Sequence, residues 1–454
     1  METSDTTLTS QDDMAENKID AALRAQDDNA LRDLLSDIHP ADFSDQFEQL
    51  TTEARGALIS RAPDLISAEV LAQLEDEVVE DILPLLRAGQ IAEAITQLDT
   101  DDATQIAEEM EEAQLEEVLG VLEPSDRAAL EASLEFDDET IGRVMQREFV
   151  AAPPFWTVGD TIDHMRATGE ELPDVFFNIY IIDTKFKPMG YVAISKLMRA
   201  GRHLLLSDLA DDIVATIPQG MDQEEAAYLF EKYSLISAPV TDETGRLAGI
   251  MTVDDIVHII QDENKEDILA LAGVSEAGLT DTALDTVKAR APWLGINLLT
   301  SILASFVIAQ FDYAISEIVA LAVLMPIVAS MGGNAGTQAL TVAVRNLTER
   351  DLTQQTAWRA VRREAIAAMI IGLIFAIALA LIAYIWFGDV RLAQVAFIAM
   401  LINHFFAGLA GISIPLALKR FGADPAVSSS VFVTTVTDVI GFFAFLGFAA
   451  MFLL

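Results

Sequence analysis

The sequence predicts a multidomain chain with an all-α superhelical N-domain, an α/β tandem pair, a connecting helix and a five-helix α transmembrane domain. Three observations predict it. The 71 acidic and 28 basic residues are unevenly divided: residues 1–290 hold 63 and 20 of them and so carry the whole formal charge of -43. Residues 291–454 hold eight of each sign, scattered among Ala, Ile, Leu, Val, Phe and Gly. That apolar third breaks into five runs, each meeting the ~20 residues that a bilayer-crossing helix needs. Between the acidic start and the apolar end lies a segment that repeats itself at a spacing of 59 residues.

Composition narrows the chemistry. With no Cys, disulfides, thiolate metal sites and cysteine nucleophiles are excluded. A dense acidic surface repels nucleic acid and anionic headgroups and attracts cations, so the expected partner is an ion, with no nucleic acid. The opening METSDTTLTSQDDMAENK is polar and acidic, with neither a basic nor an apolar stretch of the kind a cleaved signal carries, and residues 1–18 are expected to form a disordered tail.

Within an expected domain of 19–143, residues 19–134 keep apolar residues at helical spacing, broken by short acidic or Pro-containing turns at HPADF, LDTDDA and LEPSDR. Stacked helix pairs account for that recurrence, giving an acidic helical N-domain. Over 144–262 the pattern changes to strand, polar turn, strand, helix, twice. Asp183 and Asp242 open the turn, and Gly190 and Gly249 follow seven residues later in each copy. This pair resembles tandem cystathionine-β-synthase (CBS) domains, a regulatory module. On that resemblance GIMTVDD is the nucleotide-contacting motif, with Thr252 and Asp255 at a ribose and the helix N-terminus at phosphate, and ATP is the cofactor it implies. In the first copy Ala193 and Lys196 hold the corresponding places, so one nucleotide site is expected and not two.

Residues 263–290 are expected to form a connecting, or plug, helix entering the membrane domain, 291–454. The five candidate spans are Pro292–Phe311, Ile318–Val344, Ala365–Phe387, Val395–Leu418 and Val427–Leu454. Arg345, Arg350, Arg359, Arg362 and Arg363 follow the second span and Lys419 and Arg420 the fourth, whereas the other two connections hold only Arg391. The positive-inside rule then places the N-terminus in the cytoplasm and the C-terminus outside.

Two features within lipid carry chemistry. In PIVASMGGNAGTQ, Pro326 withholds a backbone donor, glycines allow close approach, and Asn334, Thr337 and Gln338 supply neutral oxygens. The candidate pore-lining residues here are Gly332, Gly333, Asn334, Gly336 and Gln338. In the last span Asp438 stands alone among apolar residues, with Thr434 and Ser430 four and eight positions earlier on the same helical face. A carboxylate at that depth is costly and points to a wet path or a cation. Oxygen ligands without His or Cys suit Mg2+ or Ca2+, and Mg2+ sheds its water reluctantly.

With its acidic helical N-domain, tandem CBS pair, connecting helix and five spans, and with PWLGINLLTS, PIVASMGGNAGTQ and DPAVSSSVFVTTVTDVIG in the first, second and fifth spans, the chain resembles the MgtE-type magnesium channel family over nearly its whole length. The resemblance implies a homodimer in the bacterial inner membrane, surrounded by lipid, taking up Mg2+ through a pore lined by the second and fifth spans. Asp438, with the carbonyls of Thr434 and Ser430, would hold the hydrated ion. It also implies that intracellular Mg2+ closes the channel by bridging sensor carboxylates, which fall on Asp222, Glu224, Asp255, Glu263, Glu266 and Asp267, with Asp101 and Asp102 in the N-domain. Ser234 and His258 stand where the pattern has acids, and Val431 where it has a proline. The competing readings are a broad divalent (Co2+) transporter and a membrane-anchored CBS ion sensor without transport. No catalytic residues are expected, because no acid and base pair, phosphate loop or nucleophile constellation is visible.

Overall fold

A computed structural model describes residues 32, 38–169, 172–173, 175–274, 283–348, 354–421 and 429–454. The expected tail at 1–18, the middle of the connecting segment and the start of DPAVSSS lie outside the described residues. The chain divides into two compact units, Met1–Gln261 and Asp262–Leu454.

The first unit opens with short helices: α1 (Pro40–Glu48), α2 (Thr52–Arg61), α3 (Ala68–Leu71), α4 (Asp76–Ile82), α5 (Ala88–Gln97), α6 (Thr100–Glu108), α7 (Glu112–Leu119), α8 (Pro124–Leu134) and α9 (Ile141–Val144). Thr51 and Ser67 cap α2 and α3 through their hydroxyls, and Pro stands in the first turn of α1 and α8, where its missing N–H costs nothing. Phe47, Leu58, Ile82, Ile91, Ile106 and Leu130 fill the core between them. Helices this short are marginal alone, so their stability comes from the shared core.

The second part of this unit is a repeat in three dimensions. The first sheet, β1 (Val150–Ala152), β2 (Asn178–Ile182) and β3 (Pro188–Ala193), pairs β1 parallel and β3 antiparallel to β2. The second, β4 (Ile217–Pro218), β5 (Ser237–Thr241) and β6 (Leu247–Thr252), has the same order and directions. Helix α10 (Val158–Ala167), the short α11 (Ile194–Leu197) and α12 (Leu206–Leu209), and α13 (Gln223–Tyr233) pack on these sheets.

The repeated residues have repeated reasons. Asp183 Oδ1 accepts from the N–H groups of Lys185 and Lys187, and Asp242 Oδ1 from those of Thr244 and Arg246, so each closes its hairpin turn. Phe186 (φ 63°) and Gly245 (φ 78°) are the left-handed residues of the two turns. A Cβ at Gly190 would lie 2.9 Å from Asp211 O and one at Gly249 2.6 Å from Gln146 O, because a neighbouring segment bridges to each strand there. The copies meet where Asn178 Nδ2 and the Tyr180 hydroxyl reach Ser237 Oγ at 2.9 and 2.8 Å.

Helix α14 (Val253–Ala272) carries the chain from the first unit into the second. There α15 (Ala283–Ala309), the short α16 (Asp312–Glu317), α17 (Ala320–Thr348), α18 (Gln354–Phe387), α19 (Val390–Arg420) and α20 (Ser429–Phe452) follow. Among the described residues five helices, α15 and α17 to α20, are long and apolar enough to cross a membrane. Helix α19 is the most buried of them and packs on α17, α18 and α20.

Glycines set the close crossings in this unit. Gly411 of α19 lies against Gly336 O and Ala339 of α17, and Lys419 Nζ donates to Leu347 O at 3.1 Å, so these two helices run parallel. Gly372 meets His404, and Gly408 meets Ala368, in an antiparallel crossing of α18 and α19. Near its C-terminal end α14 brings Ala270 and Leu271 into a cluster with Leu340, Val344, Ile414 and Val433.

Candidate ion sites

Two places in the structure gather the sequence-predicted residues. The first is the N-terminal end of α6. Its first turn carries Asp101 and Asp102, and its capping needs are met by another part of the chain. Glu148 accepts from the Thr100 N–H at 3.0 Å and its hydroxyl at 2.6 Å, while Gln146 Nε2 donates to Asp99 Oδ2 at 2.6 Å. Gln146 itself bridges to Ile250 of β6. The acidic helix is thereby tied to the second sheet, beside the start of α14.

At that start Thr252 and Asp255 form a helix cap: Asp255 Oδ2 accepts from the Thr252 hydroxyl at 2.5 Å and from its N–H at 3.3 Å. Burial, then the charges of Asp255, Asp102 and Asp99, hold the Asp101 carboxyl well above the usual carboxylate range. Burial, then Asp255, Asp99 and Asp254, push Asp102 up to about 7. Asp255 is also raised, by burial and by Asp254, against the pull of its hydrogen bonds from Thr252 and Asp101. Asp101 Oδ1 is buried without a hydrogen-bond partner. Like-charged carboxylates in such a place must gain protons or a cation.

The donor set fits a hard cation. It is all oxygen, and one buried oxygen is unmet, which suits Mg2+ keeping part of its water. Among the described residues no group of three or more Asp, Glu, His or Cys side chains is placed to hold a metal ion. For a nucleotide the fit is narrower: Thr252 is already engaged by Asp255, and the carboxylates facing Asp255 oppose phosphate at this helix N-terminus, leaving the ribose as the part these two residues suit. In the first copy Lys196 instead pairs with Asp211 at 2.6 Å.

The remaining sensor candidates are elsewhere. Asp222 caps α13 by accepting from the Glu225 N–H, and Glu224 follows in that first turn. Glu263, Glu266 and Asp267 lie on α14 within the second unit, and none of them, nor Glu224, is without a partner. Ser234 is the exposed left-handed C-cap of α13, and His258 is exposed on α14.

The second place is the seam of α17 and α20. A Cβ at Gly336 would meet Val433 and, at 3.5 Å, Thr437, the residue before Asp438. Helix α17 has two faces: Gly332 and Gly336 are buried in helix packing, whereas Asn334, Thr337 and Gln338 are exposed and Gly333 has open space beside it. Only the polar face is available to line a path. On α20, Ser430, Thr434 and Asp438 recur every fourth residue and are half-buried. The Thr434 hydroxyl donates to the carbonyls of Ser430 and Val431 at 3.0 Å, and Thr437 donates to Thr434 O at 2.9 Å, so both candidate ion-facing carbonyls carry a side-chain hydrogen bond.

Sequence reasoning missed Asn403 and His404, which are wholly buried in α19. Both stand in an apolar span, and the rule that singled out Asp438 applies to them. It also missed Glu148 and Gln146, whose roles depend on contacts distant in sequence.

Comparison with known proteins matches three stretches of the chain. Residues 325–448 match the MgtE family, described as a divalent cation transporter; 38–139 match the MgtE intracellular N domain, and 206–262 the CBS domain. The chain is 31% identical over 438 residues to the magnesium transporter MgtE of Thermus thermophilus, covering 95% of this chain and 97% of that one. It is 29% identical over 423 residues to that of Bacillus subtilis, covering 93% and 94%. A crystal structure of the cytosolic domain of the Mg2+ channel MgtE in complex with ATP superposes with a TM-score of 0.50 at 28% identity, over 54% of this chain and 99% of that one. An acidic helical domain, a CBS pair and five apolar helices are thus matched by relatives along almost their full length, and the chain belongs to the MgtE family of magnesium transporters, multi-pass membrane proteins and not enzymes.

Proposed function

We propose that the chain is a Mg2+-selective channel for uptake across the bacterial cytoplasmic membrane, closed by intracellular Mg2+. The observation that carries this is the half-buried Asp438 carboxylate in the seam of α17 and α20, next to Thr437 and on one face with Thr434 and Ser430. A membrane-anchored sensor without transport needs no carboxylate at that depth. In a homodimer two copies of Asp438 would face one path, wide enough for an ion that keeps its water, and selective through charge and second-shell hydrogen bonds. Asn334 and Gln338 on the exposed face of α17 would line it.

The N-terminus is cytoplasmic and the C-terminus outside in this reading, supported by Arg359, Arg362 and Arg363 before α18 and by Lys419 and Arg420 at the end of α19. Closure works through Asp101, Asp102 and Asp255: an ion there lowers the energy of the docked N-domain, and it shifts the equilibrium only by binding that state better. Helix α14 has Asp255 in its first turn and Ala270 near its last, and so is the element able to transmit the change. ATP on the CBS pair is supported by the ATP complex of the related cytosolic domain, with Thr252 and Asp255 at its ribose. Domain limits of 19–143, 144–262, 263–290 and 291–454 are the proposed functional divisions.

The test is Mg2+ and Co2+ flux into liposomes holding the purified protein. Mg2+ flux that falls as internal Mg2+ rises, and falls less after deletion of residues 1–134, supports the proposal. Equal Co2+ and Mg2+ flux would favour a broad divalent transporter, and no flux of either a sensor.

A further inference from the structure

Asn403 is fully buried at the middle of α19, in the run FIAMLINHFFAG. Its Nδ2 donates to Val328 O of α17 at 2.8 Å, a second bond to a backbone acceptor two residues beyond Pro326. Two glycines make room for the carboxamide. A Cβ on Gly332 of α17 would fall inside it, and one on Gly441 of α20 would lie 2.7 Å from Nδ2. Three helices therefore converge on one side chain. Gly336 meets Val433 and Thr437 along the same antiparallel seam, and Gly332 and Gly441 are the next step along it. Gly441 follows Asp438 by three residues, about 4.5 Å along the helix axis.

Asn403 Oδ1 is buried with no hydrogen-bond partner. An apolar side chain of similar size would avoid that cost, so packing alone does not account for an amide here. What the amide adds is direction. A hydrogen bond to Val328 O fixes the height of α19 against α17, and the two glycines hold α20 to the same carboxamide.

We propose that Asn403 is a positioning residue that locks the second span against the fifth at the height of the Asp438 carboxylate, and so sets which hydrated cation passes. The inference rests on the pore reading of Asp438. Selectivity for an ion that keeps its water depends on the width between facing groups, which is set by helix spacing and not by Asp438 alone.

The experiment measures Mg2+, Co2+ and Ca2+ flux by full-length protein in liposomes. The variants are Asn403→Ala, Asn403→Ser, Gly332→Ala and the double change Gly332→Ala with Asn403→Ser, with Asp438→Asn alongside and thermal unfolding in detergent as the folding control. Asn403→Ala should shift the Mg2+ to Co2+ ratio by about threefold or more. Gly332→Ala, which drives a methyl into the carboxamide, should do the same, and the double variant should return toward the wild-type ratio because the methyl occupies vacated space. Should Asn403→Ala fail to fold, the Asn403→Ser pair carries the same comparison. A folded Asn403 variant with an unchanged ratio, whether its total flux is intact or uniformly lowered, overturns the inference while leaving the pore reading in place. Wild-type flux in Asp438→Asn overturns the pore reading and this inference with it.

Discussion

Asp101, in the first turn of α6, and Asp255, in the first turn of α14, hold their carboxylates against one another, and one oxygen of Asp101 is buried with nothing to bond. Asp101 gives Asp255 a hydrogen bond while it keeps its proton, and the pair opposes the fold once both carboxyls ionise. A divalent cation reverses the sign of that interaction.

Asp101→Asn keeps a donor toward Asp255 and removes the carboxyl that could ionise to meet a cation. The protein should stay within about 1 kcal/mol of the wild-type stability in EDTA and should gain less from added Mg2+. Thermal unfolding of the full chain in detergent, with and without Mg2+, measures both. A variant destabilised in EDTA, with its Mg2+ response intact, would remove Asp101 from the sensor.

The junction should also respond to pH. Asp102 is raised to about 7 in the folded chain, from an ordinary 3.8, so the stability contributed by its protonated form is complete below about pH 4 and lost as pH rises through about 7. Asp99, Asp101, Asp254 and Asp255 are the charges that face it, with Gln146 holding Asp99 and Glu148 held by Thr100. In EDTA, stability should fall over that window. The Mg2+ concentration needed for protease protection should fall too, because the ion no longer displaces protons. Asp102→Asn should flatten both profiles.

At the membrane site, Asp438→Asn should lower Mg2+ flux at least tenfold while leaving the protein folded, since it removes the ion's charge partner and also relieves a desolvated carboxylate. Flux at the wild-type level in a folded variant would discard the pore assignment.

Gly249→Ala should cost about 2 kcal/mol, because the new methyl would lie 2.6 Å from Gln146 O, in the segment that ties α6 to β6. Gly220→Ala, with open space around it, serves as the control. Phe186→Gly should stabilise the first copy by about 1 kcal/mol, since Phe186 holds a left-handed conformation (φ 63°) that its counterpart Gly245 adopts freely. Denaturant unfolding of the full chain separates these outcomes.

Much of this architecture was legible because it is periodic. Five apolar spans, the 59-residue repeat and the acidic excess are patterns along the chain, and Asp183, Asp242, Gly190 and Gly249 repeat in space as they do in sequence. What was hidden depended on which face a residue presents. The motif at 332–338 reads as one polar, flexible stretch, yet the helix turns Gly332 and Gly336 inward and Asn334 and Gln338 outward. Asn403 was hidden for the same reason: hydropathy smooths over a single amide, and its glycine partners lie on other helices. Glu148 as the cap of α6 had no local signal at all.

The dependence of α17 on α19 bears on how the protein is made. Val328 O takes its side-chain bond from Asn403, and Leu347 O near the helix end takes one from Lys419, both parts of a span synthesised two helices later. At ~5–20 residues per second the ribosome needs roughly 4–15 seconds to reach them. During that interval the glycine-rich second span must wait in or beside the translocon with its packing face uncovered and its C-terminal end uncapped. The second span is therefore fully packed only once the fourth has been made, and a nascent chain arrested before Lys419 would present the quality-control machinery with an unfinished second helix.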